Sequence, residues 1–247
     1  MEFYEDLKNM FSEIKENSDN AIINFLSDSE DINVTEETCR DILNLQCVQN
    51  NTNFKLNICK YMIQNKKHLD LAIDTFSDLV SEYPDICKEE SYITIINEIL
   101  KCIYYPLRDR IRVKIIDTLE LLYALGNTRY LPEIVYLYKR NDTGINAKKY
   151  SPDNVHTKLA LIAYSSTKYN AKDGLQKMYE IYKYIKRAKL NHLKGHVYYY
   201  HAIFYRRVNV NEIYLPLKDH EIYSGNYTGC IQRAKRYGFW LADYATI

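Results

Sequence analysis

Glycine and proline are scarce, with 7 and 5 among 247 residues, where an average chain carries about 7% and 5%. A β-sandwich or barrel needs a turn signal about every 8–12 residues. These counts therefore exclude such folds and favour long helices. No hydrophobic run approaches the roughly 18–20 residues of a membrane span. The opening MEFYEDLKNMFSEIKEN is charged throughout and lacks the basic-then-apolar order of a signal peptide. The expected location is cytoplasmic or nuclear, not secreted, with no membrane contact.

Catalytic signatures are missing as well. The scattered glycines supply neither G-x-x-x-x-G-K-[ST] nor G-x-G-x-x-G, so no backbone loop is shaped to cradle a phosphate. No G-x-S-x-G elbow is present, and SGNYTG (Ser224–Gly229) reads as a turn without a P-loop lysine. The six cysteines include no C-x-x-C pair, which removes zinc-ribbon and thioredoxin-like readings. Cys39, Cys59 and Cys102 fall on apolar helical positions, where a thiol acts as a small hydrophobe. His192 and His196 stand four apart, a spacing that can hold zinc on a helix, with His201 about a turn further on. No carboxylate lies between 181 and 211, the surroundings are strongly basic, and Gly195 weakens the helix there. No metal ligand, cofactor site or catalytic residue is assigned, and the chain reads as a non-enzyme. Carboxylate pairs such as Glu36/Glu37 sit at helix starts, where they suit the helix dipole.

What is abundant is tyrosine, with 25 residues, alongside many Ile, Asn and Lys. All four have A/T-rich codons, so the excess points to an AT-rich genome, such as that of a virus, before it points to a function. Apolar residues recur at helical spacing along almost the whole chain. Examples are the stripes Phe3 to Ile14, Leu69 to Val80 (halted near Pro84), Tyr92 to Ile103 (halted by Pro106), and Leu107 to Leu125, closed by Gly126. Pro132 starts a short helix, 140–153 reads as a loop, and helices follow over Val155–Ala163 and Leu175–Ile185. GHVYYYHAIFYRRV (Gly195–Val208) is apolar on nearly every helical face, which marks a helix buried between neighbours; a short buried strand is the alternative. Residues 210–219 read as irregular, and Cys230, Ile231, Ala234, Tyr237 and Trp240 as one last helix.

Helix pairs recurring about every 35–45 residues point to an all-α fold of stacked antiparallel pairs, as an α-solenoid or an irregular bundle. The chain reads as a single domain over 1–247, divisible into an acidic-to-neutral half (1–139), the loop 140–153 and a basic half (154–247). RDRIRVKIIDTLELLYALGN (Arg108–Asn127), followed by the proline-started helix at Pro132, makes residues 85–139 resemble HEAT or armadillo repeats. That resemblance implies a scaffold built from helix pairs. Translation-initiation scaffolds with HEAT-like middle domains are one version of a nucleic-acid-binding alternative.

The net charge of +1 hides a split. Residues 1–100 carry 8 basic and 20 acidic side chains, and 101–247 carry 25 and 12. Segregation of this kind points to a polyanion-binding face or to attraction between unlike surfaces. Candidate polyanion or nucleic-acid contacts are Lys183, Lys186, Arg187, Lys189, Lys194, Arg206 and Arg207, with Arg233, Lys235 and Arg236 near the end. Tyr182, Tyr184, Tyr198 and Tyr205 are candidate stacking rings for a single strand; the alternative is that these tyrosines pack between helices with hydroxyls at the rim. Three functional expectations follow. The first is a non-enzymatic scaffold binding protein partners in a larger complex. The second is an RNA-binding or DNA-binding helical protein using Lys172–Arg207. The third is a structural subunit of a viral particle.

Overall fold

The computed structural model describes residues 36–44, 51–64, 68–84, 90–103, 109–141, 150–208 and 227–245. The helices expected over 3–14 and 22–26, most of the 140–153 loop and the irregular 210–219 segment lie outside them. Among the described residues 86% are helical and none is in a strand. The strand alternative for GHVYYYHAIFYRRV is thereby removed.

Eleven α-helices are described: α1 (Glu36–Asn44), α2 (Thr52–Gln64), α3 (Leu69–Glu82), α4 (Glu90–Cys102), α5 (Asp109–Ala124), α6 (Leu131–Asn141), α7 (Pro152–Ser165), α8 (Ala171–Arg187), α9 (Lys194–Val208), α10 (Tyr227–Arg236) and α11 (Leu241–Tyr244). None of them is long and apolar enough to cross a membrane. The chain divides into two compact units, 1–115 and 116–247, so the division falls within α5 and the 140–153 loop belongs to the second unit.

In the first unit α2 packs on α3 and α4. The apolar stripes read from the sequence form its core: Phe54, Ile58 and Met62 from α2, Phe76 and Val80 from α3, Tyr92, Ile96 and Ile99 from α4. The Phe76 and Tyr92 rings meet at 5.5 Å. Several of its described cations are paired. Asp74 receives Lys114 at 2.8 Å and Arg110 at 3.2 Å, and Glu36 receives Arg40 at 2.5 Å.

In the second unit α7 packs on α6, α8 and α9, and α9 packs on α10. Helix ends follow local rules. Gly126 takes φ 98° as α5 stops, with Gly126 N–H donating to Tyr123 O (3.0 Å) and Asn127 N–H to Leu122 O (2.9 Å), the two bonds of a Schellman cap. Ser151 and Asn154 form a capping box before α7. Helix α9 is buried from Val197 through Phe204, as its all-round apolar pattern requires. Cys39, Cys59, Cys102 and Cys230 are buried and form no disulfide among the described residues.

Candidate functional site

Two features of the second unit carry chemistry. The first is a polar network inside the helix stack. Glu120 of α5 is fully buried and accepts a hydrogen bond from the Tyr200 hydroxyl at 2.9 Å. That hydroxyl lies 3.3 Å from Tyr138 Oη and 3.1 Å from His156 Nε2. Tyr138 Oη is 2.7 Å from the same His156 nitrogen. The single Tyr200 proton goes to Glu120, so Tyr138 is the hydroxyl left to donate to a neutral His156 Nε2. Burial, then the neighbouring His196, pushes His156 down to about 3. Burial drives Glu120 up to about 8, only partly offset by the Tyr200, Tyr138 and Tyr164 hydroxyls. The carboxyl is therefore mostly protonated at neutral pH.

Around this chain the rings interlock. Tyr164 lies edge-on to Tyr200 at 5.9 Å and to Tyr123 at 5.1 Å. Glu120 Oε2 and the hydroxyls of Tyr164 and Tyr199 are buried without a normal hydrogen bond among the described residues. These are not the tyrosines expected to pack with hydroxyls at the rim (Tyr182, Tyr184, Tyr198 and Tyr205); the hydroxyls of Tyr138 and Tyr200 lie inside the core. A carboxyl group on a distant helix supplies an acceptor inside the core, so the hydroxyls converge on it.

From His156 the contacts run outward to the start of α9. The His156 and His196 rings meet edge-on at 5.3 Å, and His196 rests on Phe239 at 4.4 Å. Gly195 explains the tightness. A Cβ there would lie 2.9 Å from Phe239 Cβ and 3.3 Å from the Tyr237 carbonyl. His192, His196 and His201 do not share a face as metal ligands. His192 is exposed, His196 packs on Phe239, and His201 is buried with Nδ1 2.8 Å from Val197 O.

The second feature is a basic end. Helices α9 and α10 run antiparallel: the Lys194 ammonium lies over the Tyr237 ring (5.6 Å) at one end, and the Arg206 guanidinium over Tyr227 (5.7 Å) at the other. The end of α8, the turn into α9 and the end of α10 thus meet. They bring together Lys186, Arg187, Lys189, Lys194, Arg233, Lys235 and Arg236, with Lys183 a turn back on α8 over Tyr179 (4.1 Å). Arg206 and Arg207 sit at the opposite end of α9, about 18 Å away at the usual helical rise. Arg207 is half-buried and donates to Ala163 O at 2.8 Å, bracing the last turn of α7.

Among the described residues Lys183, Lys186, Arg187, Lys189, Lys194, Lys235 and Arg236 meet no carboxylate within ion-pair distance. The last-turn cations of α8 and α10 favour their helix dipoles, which is a structural reason for them. Lys189, just past the end of α8, shares that reason but sits in a disfavoured backbone conformation, and Lys194 has no such reason. Lys194 opens α9, where the dipole disfavours a cation. Lys189 adopts a left-handed φ of 55° to close the Schellman cap of α8, with Leu190 N–H donating to Ile185 O at 3.0 Å. Glycine would suit that position better. Replacing Lys189 with glycine is expected to stabilise the fold by about 1 kcal/mol while weakening polyanion binding. Paired denaturation and binding measurements check both signs.

Of the rings expected to stack on bases, Tyr182 and Tyr198 are buried, and Tyr184 and Tyr205 are half-buried. Among the described residues the exposed rings are Tyr83 (47%), Tyr169 (101%), Tyr237 (44%) and Trp240 (41%), and the last two closely follow Lys235 and Arg236 in the chain. The sequence pattern assigns these two to the last helix, but α10 stops at Arg236. Gly238, with φ 70°, turns the chain so that Phe239 points inward and its neighbours stay outside. The signal in the sequence was the glycine after RAKRY. Glu120 and His156 left no local signal, because their partners lie 80 and 44 residues away.

No family model matches the chain, and no curated protein or solved structure matches it.

Proposed function

We propose that this chain is a non-enzymatic helical scaffold that docks a polyanionic partner at the basic end formed by α8, α9 and α10. The carrying observation is that lysines occupy two places the fold disfavours, Lys189 and Lys194, within a group of cations that meet no described carboxylate. Unfavourable local choices that persist mark positions held for another purpose. The helical-repeat part of the reading draws support from packing between helices two apart in sequence, α2 on α4 and α7 on α9. It draws further support from the HEAT-like resemblance of residues 85–139. The buried Glu120 network has a positioning role. It holds the start of α9 and the Phe239 turn, on which Lys194 and Tyr237 depend.

The test is a titration of the full chain with a labelled anionic polymer at about 50 and 200 mM salt. Neutralising several phosphates should make affinity fall by orders of magnitude between them. Replacing Lys186, Arg187, Lys235 and Arg236 together with alanine should cost tenfold or more. Replacing Arg206, at the far end of α9, should cost little. Equal losses in the two variants, or no binding at low salt, would sink the proposal.

A further inference from the structure

We infer that the polyanion held at this basic end is single-stranded nucleic acid, with exposed bases stacking on Tyr237 and Trp240. The inference rests on the basic-end reading above and adds the identity of the partner.

Charge alone does not distinguish a nucleic-acid strand from an acidic polypeptide, but the rings beside the charge do. Single exposed rings are ordinary, as Tyr83 and Tyr169 show, whereas a pair of rings beside clustered cations points to a ligand. Here two exposed rings flank the one turn that joins α10 to α11. Both are held rigidly. The Tyr237 ring lies parallel to the buried Tyr198 ring, with centroids 5.6 Å apart and planes 13° apart. Trp240 is braced edge-on by Tyr244 at 6.2 Å. Between them Phe239 is 4% exposed and wedged against His196 and Tyr199 (4.4 and 4.9 Å), so the turn is pinned to the core. A ring already fixed in place loses little entropy when a base lands on it.

Cations stand where the backbone of such a strand would pass. The Lys194 ammonium lies over Tyr237, and the Arg233 guanidinium lies over the Tyr198 side of the same stack, at 5.7 Å. Lys194 can swing from the ring to a phosphate as a base takes its place, keeping the charge near the same spot. The combination of rings and cations is what a single strand requires, since charge tracks phosphates and every base offers a π-face. A duplex hides its base faces within its own stack, and an acidic peptide has carboxylates but no bases to stack.

The experiment uses the full chain and three probes of matched total charge: single-stranded RNA, double-stranded RNA and polyglutamate. The expected result is preference for the single strand, with quenching of Trp240, the only tryptophan, on binding. Tyr237→Ala with Trp240→Ala should lower single-strand affinity about tenfold or more and leave duplex affinity unchanged. Tyr237→Phe, which keeps the ring, should bind as the parent does. The quenching in the parent chain is informative even if the double variant folds poorly. Equal affinity for all three probes, preference for polyglutamate, or an unquenched Trp240 on strand binding overturns the inference and leaves the basic-end reading intact. Failure of every probe to bind at low salt overturns the basic-end reading itself.

Discussion

Gly174→Val and Gly195→Val are each expected to cost about 3 kcal/mol or more, measured by denaturant unfolding followed through Trp240 fluorescence. Both glycines lie inside helices, where any other residue except proline is intrinsically preferred, by about 1 kcal/mol in the case of alanine. The expected loss therefore comes from space and not from backbone preference. A Cβ at Gly174 would meet Phe204 Cε2 at 2.7 Å and Ser166 Oγ at 2.8 Å. Phe204 is fully buried, and Ser166 is held to Ile162 O at 2.6 Å, so neither neighbour can yield cheaply. At Gly195 the obstacle is the Phe239 turn. Its displacement would shift Tyr237 and Trp240, so Gly195→Ala should impair binding more than its stability loss alone explains. Gly238 is the contrast. Nothing lies within 4 Å of an added Cβ, and only its φ of 70° opposes substitution, so Gly238→Ala should cost about 1 kcal/mol.

Stability of the second unit should peak near pH 7 and fall on both sides. Burial holds the folded values of His156, His196 and His201 at about 3, 4 and 4, below the ordinary 6.5. Across that interval the unfolded chain binds more protons, so stability rises with pH up to about 6.5. Glu120 has the opposite sign. Its folded value of about 8 exceeds the model-compound 4.5, so the folded chain binds the extra proton and stability falls as pH rises from 4.5 to 8. Below 6.5 the three histidines outweigh the one carboxyl group. Above about pH 7 Glu120 dominates, but the histidines of the unfolded chain are still partly protonated and offset part of its effect, so the net fall to pH 8 should be about 0.5–1 kcal/mol. Glu120→Gln keeps the side-chain shape and removes the ionisation, so it should flatten the alkaline limb. An unchanged slope between pH 6.5 and 8 in that variant would show that Glu120 is not its source.

Much of the fold was legible because helical periodicity is a local property. The stripe from Leu69 to Val80 and the buried ring of apolar residues in GHVYYYHAIFYRRV each specify a helix, and for the latter its burial, without reference to the rest of the chain. Helix stops near Pro84 and at Gly126 were equally local, since a terminus is set by φ and by unpaired carbonyls within a few residues. The basic excess was visible as well, although the sequence grouped Arg206 and Arg207 with Lys186 and Lys194. A helix separates residues twelve apart by its rise, and antiparallel pairing with α10 decides which end gathers the other cations.

Tertiary structure alone settled what the tyrosines and histidines do. A run such as YYYH fixes which residues share a helix face but not which distant group they meet. Glu120 turned Tyr200 inward, and Phe239 gave His196 a neighbour in place of a metal. Gly195, read locally as a weak point in a helix, is the position where a second turn comes close enough to exclude a single carbon. Composition and periodicity thus determined an all-helical chain with a basic C-terminal half. Packing between segments 40 to 80 residues apart decided which rings stayed in water, because burial depends on what arrives from elsewhere in the chain.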